Sequence, residues 1–205
     1  FFTQKPAYEM LRSLVGSEMC IRDRVDYVDV RVPKDNLLGP RGQGFKIAQD
    51  RLGPGRIFHC MRWLGQAQRA FDLLCERANN RVAFGKNLAE HQQIQKFVFD
   101  SAAEIQASRL LTLHAAQKID QGDEARVEIG LIKVYGAQML HNVIDRAIQV
   151  HGALGVTEDT PLERMYRHAR FARLYDGADE VHVQNTGGRI LRRYANGEGF
   201  DFGLR

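Results

Sequence analysis

The sequence predicts an all-α fold: an up-and-down four-helix bundle with an extra C-terminal helix. Three observations carry this reading. Apolar residues recur at spacings of three and four through three long stretches, the period of a helix with one buried face. Short runs rich in glycine, asparagine and aspartate separate those stretches, as between antiparallel neighbours in a bundle. A single segment, residues 25–33, alternates in the manner of a strand, and no repeat of solenoid period is present. With 205 residues, 44% of them hydrophobic and 26% charged, the chain is long enough for one sizeable core.

Residues 1–24 stand apart. They sustain no period, and Gly16 and Ser17 interrupt them. Residues 14–23 (LVGSEMCIRD) resemble the translation of a transposase-type sequencing-library adapter, so residues 1–24 are expected to be non-native and are set aside. Residues 25–33 (VDYVDVRVP) read as a strand ended by Pro33, and residues 36–44 (NLLGPRGQG) as a loop. A lone strand needs a sheet to join, so residues 25–41 are expected to be the last strand and linker of a truncated β-domain.

Helices follow. A short one from Phe45 to about Leu52 is expected to break at Gly53, Pro54 and Gly55, and a longer one then runs to about Asn79 with Ile57, Met61, Leu64, Ala67, Phe71, Leu74 and Ala78 on its stripe. A loop at residues 81–89 (RVAFGKNLA) precedes a helix over about 90–119 that carries Ile94, Val98, Ile105, Leu111 and Ala115. Gln121, Gly122 and Asp123 close it. The next begins near Asp123 as cap, with Val127, Leu131, Val134, Ile144 and Ile148 on its stripe, and reaches about Val150. A fourth spans about 160–174 with Pro161 at its first position, and the last about 179–194. The bundle is thus expected over residues 42–194, with a loose glycine-rich tail at 195–205.

Composition narrows the function classes. Cys20, Cys60 and Cys75 show no CxxC spacing and are expected to be reduced thiols. No apolar run is long enough to cross a membrane as a helix. The histidines show no HxxxH or HExxH pattern, so no metal site is expected. A net charge of +4 is too mild to indicate nucleic acid, which is not an expected partner. Arg164, Arg167, Arg170 and Arg173 recur every third residue and read as a solvated face with ion pairs, although such a run could also face a phosphorylated ligand.

Residues 149–182 concentrate the chemistry. Gly152 and Gly155 punctuate a turn, an arginine-studded helix follows, and Asp176 stands between Tyr175 and Gly177 at a junction of helices. The order of VRVPKDNLLG, GQGF, RVAFGKNLAEHQ, QVHGALGV and YDGADE resembles the C-terminal half of acyl-CoA dehydrogenases. The aspartate in YDGADE, where most of that family carries glutamate, is most similar to the branch of family members 10 and 11.

This resemblance implies an N-terminal helical domain, a middle β-domain and a C-terminal bundle, with FAD held between the last two. It implies α,β-dehydrogenation of an acyl-CoA thioester, with Asp176 as base, hydride transfer to FAD and electrons passed on to an electron-transfer flavoprotein. A homodimer or homotetramer is implied, in the cytoplasm of a bacterium or in a mitochondrion or peroxisome of a eukaryote. The bundle alone is expected to be inactive. Arg81, Phe84, His91 and Gln92 match residues that grip the pyrophosphate and adenine side of FAD bound by a neighbouring subunit. Gln149, Gly152 and Ala153 match the flavin-nucleotide loop. Ala178 and Glu180 stand where a threonine and a glutamine are common. Arg56, Tyr175 and Gly177 match the substrate pocket.

A solvated aspartate, with a pKa near ~4, is too weak a base for a thioester α-carbon. Such a site needs desolvation and hydrogen bonds to the developing enolate. Simpler roles stand beside these: Asp176 as N-cap of the last helix, although Asp179 is the more natural cap, Arg81 at a helix C-terminus, Phe84 as a loop anchor and Arg56 in a surface ion pair. Two other functions remain open at this level: an acyl-CoA oxidase, and a non-catalytic bundle binding a partner or nucleic acid through its arginine-rich helix.

Overall fold

A computed structural model describes residues 26–203 of the chain. The chain divides into two compact units, Phe1–Leu52 and Gly53–Arg205. In the first, residues 26–33 form no strand, and Tyr27, Val28, Val30 and Val32 are exposed. The expected strand is therefore corrected over these residues: extended backbone needs a neighbour to take its hydrogen bonds, and the described residues supply none there. Val25 and the segment read as adapter-derived lie outside the described residues. A 3-10 turn at Lys34–Asn36 follows Pro33.

Five α-helices occur among the described residues. The first, α1, spans Gly44–Asn80 and runs through Pro54, where the sequence predicts a break. Proline removes one helical N–H, and the carbonyl four residues earlier belongs to exposed Asp50, where water can serve it. The expected loop at 81–89 contains a hairpin, β1 (Val82–Ala83) antiparallel to β2 (Lys86–Asn87). Its two-residue turn, Phe84 and Gly85, has φ of 53° and 83°, both left-handed as a tight hairpin requires. A capping box closes the next turn, the Asn87 backbone N–H donating to Glu90 Oε1 at 3.1 Å.

Helix α2 covers Gln92–Asp120 and α3 covers Arg126–His151. Asp123 does not cap α3; its Oδ1 accepts the Ala125 N–H at 3.1 Å, ordering the turn while the helix starts at Arg126. After a 3-10 turn at Gly152–Val156, α4 spans Leu162–Ala172 and α5 spans Asp179–Ala195. The described part of the tail touches the bundle at two places. The Arg193 guanidinium lies 5.6 Å from the Phe200 ring centre, and Gly203 rests against His114 of α2.

Helix α3 is the axis of the bundle, touching α2, α4, α5 and the 3-10 turn. Ile132, Ala137, Met139, Leu140, Val143 and Ile144 are buried along it, facing Trp63, Leu64, Ala67 and Leu74 of α1 and Ile105 and Ala115 of α2 within one core. Two glycines set its spacing. At Gly136 an added Cβ would come within 3.3 Å of the Trp63 ring, and at Gly130 it would collide with the Thr186 hydroxyl of α5.

Candidate active site

The junction between α4 and α5 is held from below by a buried charge cluster. Lys133 of α3, 1% exposed, donates to the Ala172 carbonyl at 2.8 Å and lies 3.6 Å from Asp179 Oδ1. Arg173 Nε donates to the other oxygen, Oδ2, at 2.7 Å. Burial pushes the Lys133 ammonium below the usual lysine range, and Asp179 pulls it back. Asp179 is thus the first residue of α5 and an ion-pair partner, while the N-cap is Ala178, with no side-chain cap bond. Neither aspartate caps the helix with its side chain.

Above this cluster the chain turns through Asp176 and Gly177, with φ of 54° and 101°. The first is a left-handed conformation that costs a non-glycine residue free energy and persists only where neighbours enforce it. Two side chains do so at its carbonyl: Arg56 Nε donates at 3.0 Å from α1, and His182 Nε2 stands at 3.0 Å from α5. A carbonyl only accepts, so His182 carries its proton on Nε2. A Cβ at position 177 would lie 2.8 Å from that nitrogen, so glycine is required there for space as well as for φ.

The Asp176 side chain is 13% exposed, and its Oδ2 lies 2.6 Å from His59 Nε2. His59 in turn packs against Tyr175 with ring centres 4.9 Å apart and against Trp63 at 6.1 Å. Trp63 Nε1 donates to the Tyr175 hydroxyl at 2.7 Å. Burial raises the Tyr175 phenol above its ordinary range and lowers both Arg56 and His182 below theirs. The Cys60 thiol beneath, bonded to the Ile132 carbonyl at 3.4 Å, is pushed up by burial to about 12.

The structure therefore brings Arg56, Tyr175, Asp176 and Gly177 together. It places the other sequence-selected residues elsewhere. Arg81 and Phe84 sit on the hairpin with Phe84 96% exposed, its ring edge-on to His91, while Gln92 opens α2. Gln149 lines a cleft of about 410 Å³ with Phe97, Asn142, Asp145 and Arg146. Arg146 there is matched by Glu104 at 2.7 Å. Gly152 ends α3 with φ of 64°, and Ala153 beside it is exposed. Glu180 is exposed one turn from Asp176.

Reading the sequence missed His59, Trp63, Lys133 and His182. A signal for two of them was available: Arg56, His59 and Trp63 are spaced three and four apart, hence on one face of α1. Of the arginine stripe, Arg164, Arg167 and Arg170 are exposed, Arg167 pairing with Glu163, whereas Arg173 joins the buried cluster. Among the described residues no group of three or more histidines, cysteines or carboxylates could hold a metal.

The bundle thus sets one aspartate in a left-handed turn among partly buried polar groups from α1 and α5. Residues 42–191 match the family described as acyl-CoA dehydrogenase, C-terminal domain. The chain belongs to the acyl-CoA dehydrogenase family. It is 52% identical over 171 residues to the probable acyl-CoA dehydrogenase FadE2 of Mycobacterium tuberculosis, covering 82% of this chain and 42% of that protein. It is 49% identical over 161 residues to acyl-CoA dehydrogenase family member 11 of Rattus norvegicus, covering 78% of this chain and 21% of the relative. A solved structure, an acyl-CoA dehydrogenase complexed with FAD from Bacillus anthracis, superposes with a TM-score of 0.73 at 29% identity, covering 82% of this chain and 32% of that one. The chain thus spans less than half the length of these relatives.

Proposed function

We propose that this chain is the C-terminal helical domain of an FAD-dependent acyl-CoA dehydrogenase in which the Asp176 carboxylate takes the α-proton of an acyl-CoA thioester. The observation that carries the reading is the turn at Asp176. A left-handed non-glycine residue is fixed at its carbonyl by Arg56 and His182, and its carboxylate is largely withdrawn from water. Withdrawal from water raises a carboxylate's proton affinity, which proton abstraction from carbon requires.

The residues present suit the cofactor. Exposed Arg81 offers a cation for a pyrophosphate, and Phe84 offers a ring face on a fixed hairpin turn. The cleft at Gln149 supplies amide groups from Gln149 and Asn142, and the Asp145 carboxylate there suits a sugar hydroxyl better than a phosphate. FAD, when bound, supplies the acceptor for the β-hydrogen and its electron pair. Arg56, Tyr175 and Gly177 would line the thioester end of the pocket. Electron-transfer flavoprotein is the proposed acceptor from the full-length enzyme, and a homodimer or homotetramer its assembly.

Two substitutions in the full-length enzyme test this. Asp176→Asn is expected to keep FAD bound and to slow anaerobic bleaching of the flavin by acyl-CoA about 10³-fold or more. Rapid bleaching in that variant would remove Asp176 from its role. Arg81→Ala is expected to lose flavin and subunit association together; normal flavin content and oligomer size would count against the hairpin assignment. Reoxidation by electron-transfer flavoprotein rather than by oxygen separates a dehydrogenase from an oxidase.

A further inference from the structure

Aspartate is shorter than glutamate by one methylene, so a carboxylate at this position falls about 1.5 Å short of where a glutamate would put it. Misplacement on that scale costs a reaction about 10²-fold when nothing compensates. The contact at Asp176 Oδ2 bears directly on that deficit, since His59 approaches it from α1 to 2.6 Å. Building on the reading of Asp176 as the base, we propose that His59 is a positioning residue that, backed by Arg62, aims the Asp176 carboxylate and sets its proton affinity.

The direction of the chain from Arg62 to Asp176 follows from donor chemistry. An Arg62 guanidinium nitrogen is in short contact with His59 Nδ1. Guanidinium only donates, so Nδ1 accepts, and the ring proton resides on Nε2, facing the carboxylate. In this tautomer His59 places its protonated Nε2 2.6 Å from Asp176 Oδ2, and Asp176 remains the proposed base. In the step it supports, the α-C–H bond breaks, an O–H bond forms on Asp176, and the C–H electron pair passes into the thioester enolate.

The ring is fixed as well as polarised. Tyr175 and Trp63 flank it at 4.9 and 6.1 Å, and the hydrogen bond between those two closes the slot. Other charges face the same carboxylate. Arg56 of α1 and Lys133 of α3 act on it electrostatically, and His182 of α5 and Tyr175 complete the surroundings. The contact from His59 is made at the carboxylate, whereas Arg56 and His182 hold the backbone carbonyl.

A donor that favours the anionic carboxylate lowers its proton affinity, so removing it must raise that affinity. In the full-length holoenzyme, His59→Ala is expected to move the pH midpoint of flavin reduction upward by about one pH unit and to slow reduction about 10- to 100-fold with KM little changed. His59→Gln, whose amide nitrogen reaches a similar place, is expected to restore most of both. Arg62 is exposed, so Arg62→Met leaves the core intact even if His59 variants misfold. There the midpoint is expected to move in the same direction as in His59→Ala and by less, because the ring stays in place while its partner is gone. Deuterium exchange at the α-carbon of a thioester analogue that cannot be oxidised supplies a second readout with the same midpoints. Unchanged midpoints and rates in His59→Ala and in Arg62→Met, with Asp176→Asn inactive, would overturn the role of His59 alone. A wild-type enzyme whose flavin no acyl-CoA reduces would overturn both this role and the reading of Asp176 as base.

Discussion

The two ends of α3 handle polarity in opposite ways. At Lys133 the charges are buried and matched, and they hold the turn that presents Asp176. Gln149 near the other end is exposed, as are Arg81 and Phe84 on the hairpin, where Phe84 adopts a left-handed conformation with almost its whole surface in water. His59, which touches Asp176, and Asn80, which leads into the hairpin, are separated along α1 by about 32 Å at 1.5 Å of rise per residue. A single bundle therefore does not bring its hairpin to its own Asp176. The difference teaches that one end is finished by folding, while the other leaves its selected side chains largely in water. This accords with the proposal that the hairpin serves the flavin of a neighbouring subunit.

The comparison can be broken first at its buried end. Lys133→Met would leave Asp179 with half its partners and the Ala172 carbonyl without a donor. A loss of about 3 kcal/mol is expected, read as a lowered unfolding midpoint. A midpoint unchanged from wild type would mean that the cluster does not hold the junction.

A pair of backbone substitutions sharpens the contrast through its sign. Gly177→Ala puts a Cβ 2.8 Å from His182 Nε2 at a φ of 101°, and should cost about 2 kcal/mol. Phe84→Gly relieves a φ of 53° at an exposed site, so stability should rise by about 0.5–1 kcal/mol while flavin retention falls. Equal effects at the two ends would erase the distinction drawn here.

The smallest effect concerns pH. Burial lowers the proton affinity of His182 and of His141, so below the ordinary histidine range the unfolded chain binds more protons than the folded one. Stability should fall as pH drops from about 6.5 toward the lowered folded values. His182→Gln, which keeps a donor for the Asp176 carbonyl, should flatten that slope. A slope unaffected by this change would place the acid sensitivity in other groups.

Much of this was legible in the chain. The apolar stripe of α1, from Leu64 and Ala67 to Leu74 and Ala78, is buried where its spacing predicts, because period and burial are the same property of a helix that packs on one side. The lengths of α2 and α5 followed for the same reason. Pro54 misled because the cost of one lost hydrogen bond depends on who can serve the orphaned carbonyl, which the sequence does not tell. The strand at 26–33 misled because a strand is a property of a pair, and its alternation persists whether or not a partner is present. Within the site, Asp176 was visible through its glycine neighbour and the family pattern.

What the sequence by itself determined was the set of helices and the family, since these depend on residues near one another in the chain, whereas the stripe expected on α3 left out Ile132, Met139, Leu140 and Val143, which packing buries. What only the tertiary structure decided was the company kept by Asp176. Its partners lie as far away as Arg56, 120 positions earlier, and the charge beneath it comes from Lys133, 39 positions before the carbonyl it holds. Contacts at such separations are set by how helices pack around α3, and no local period encodes them.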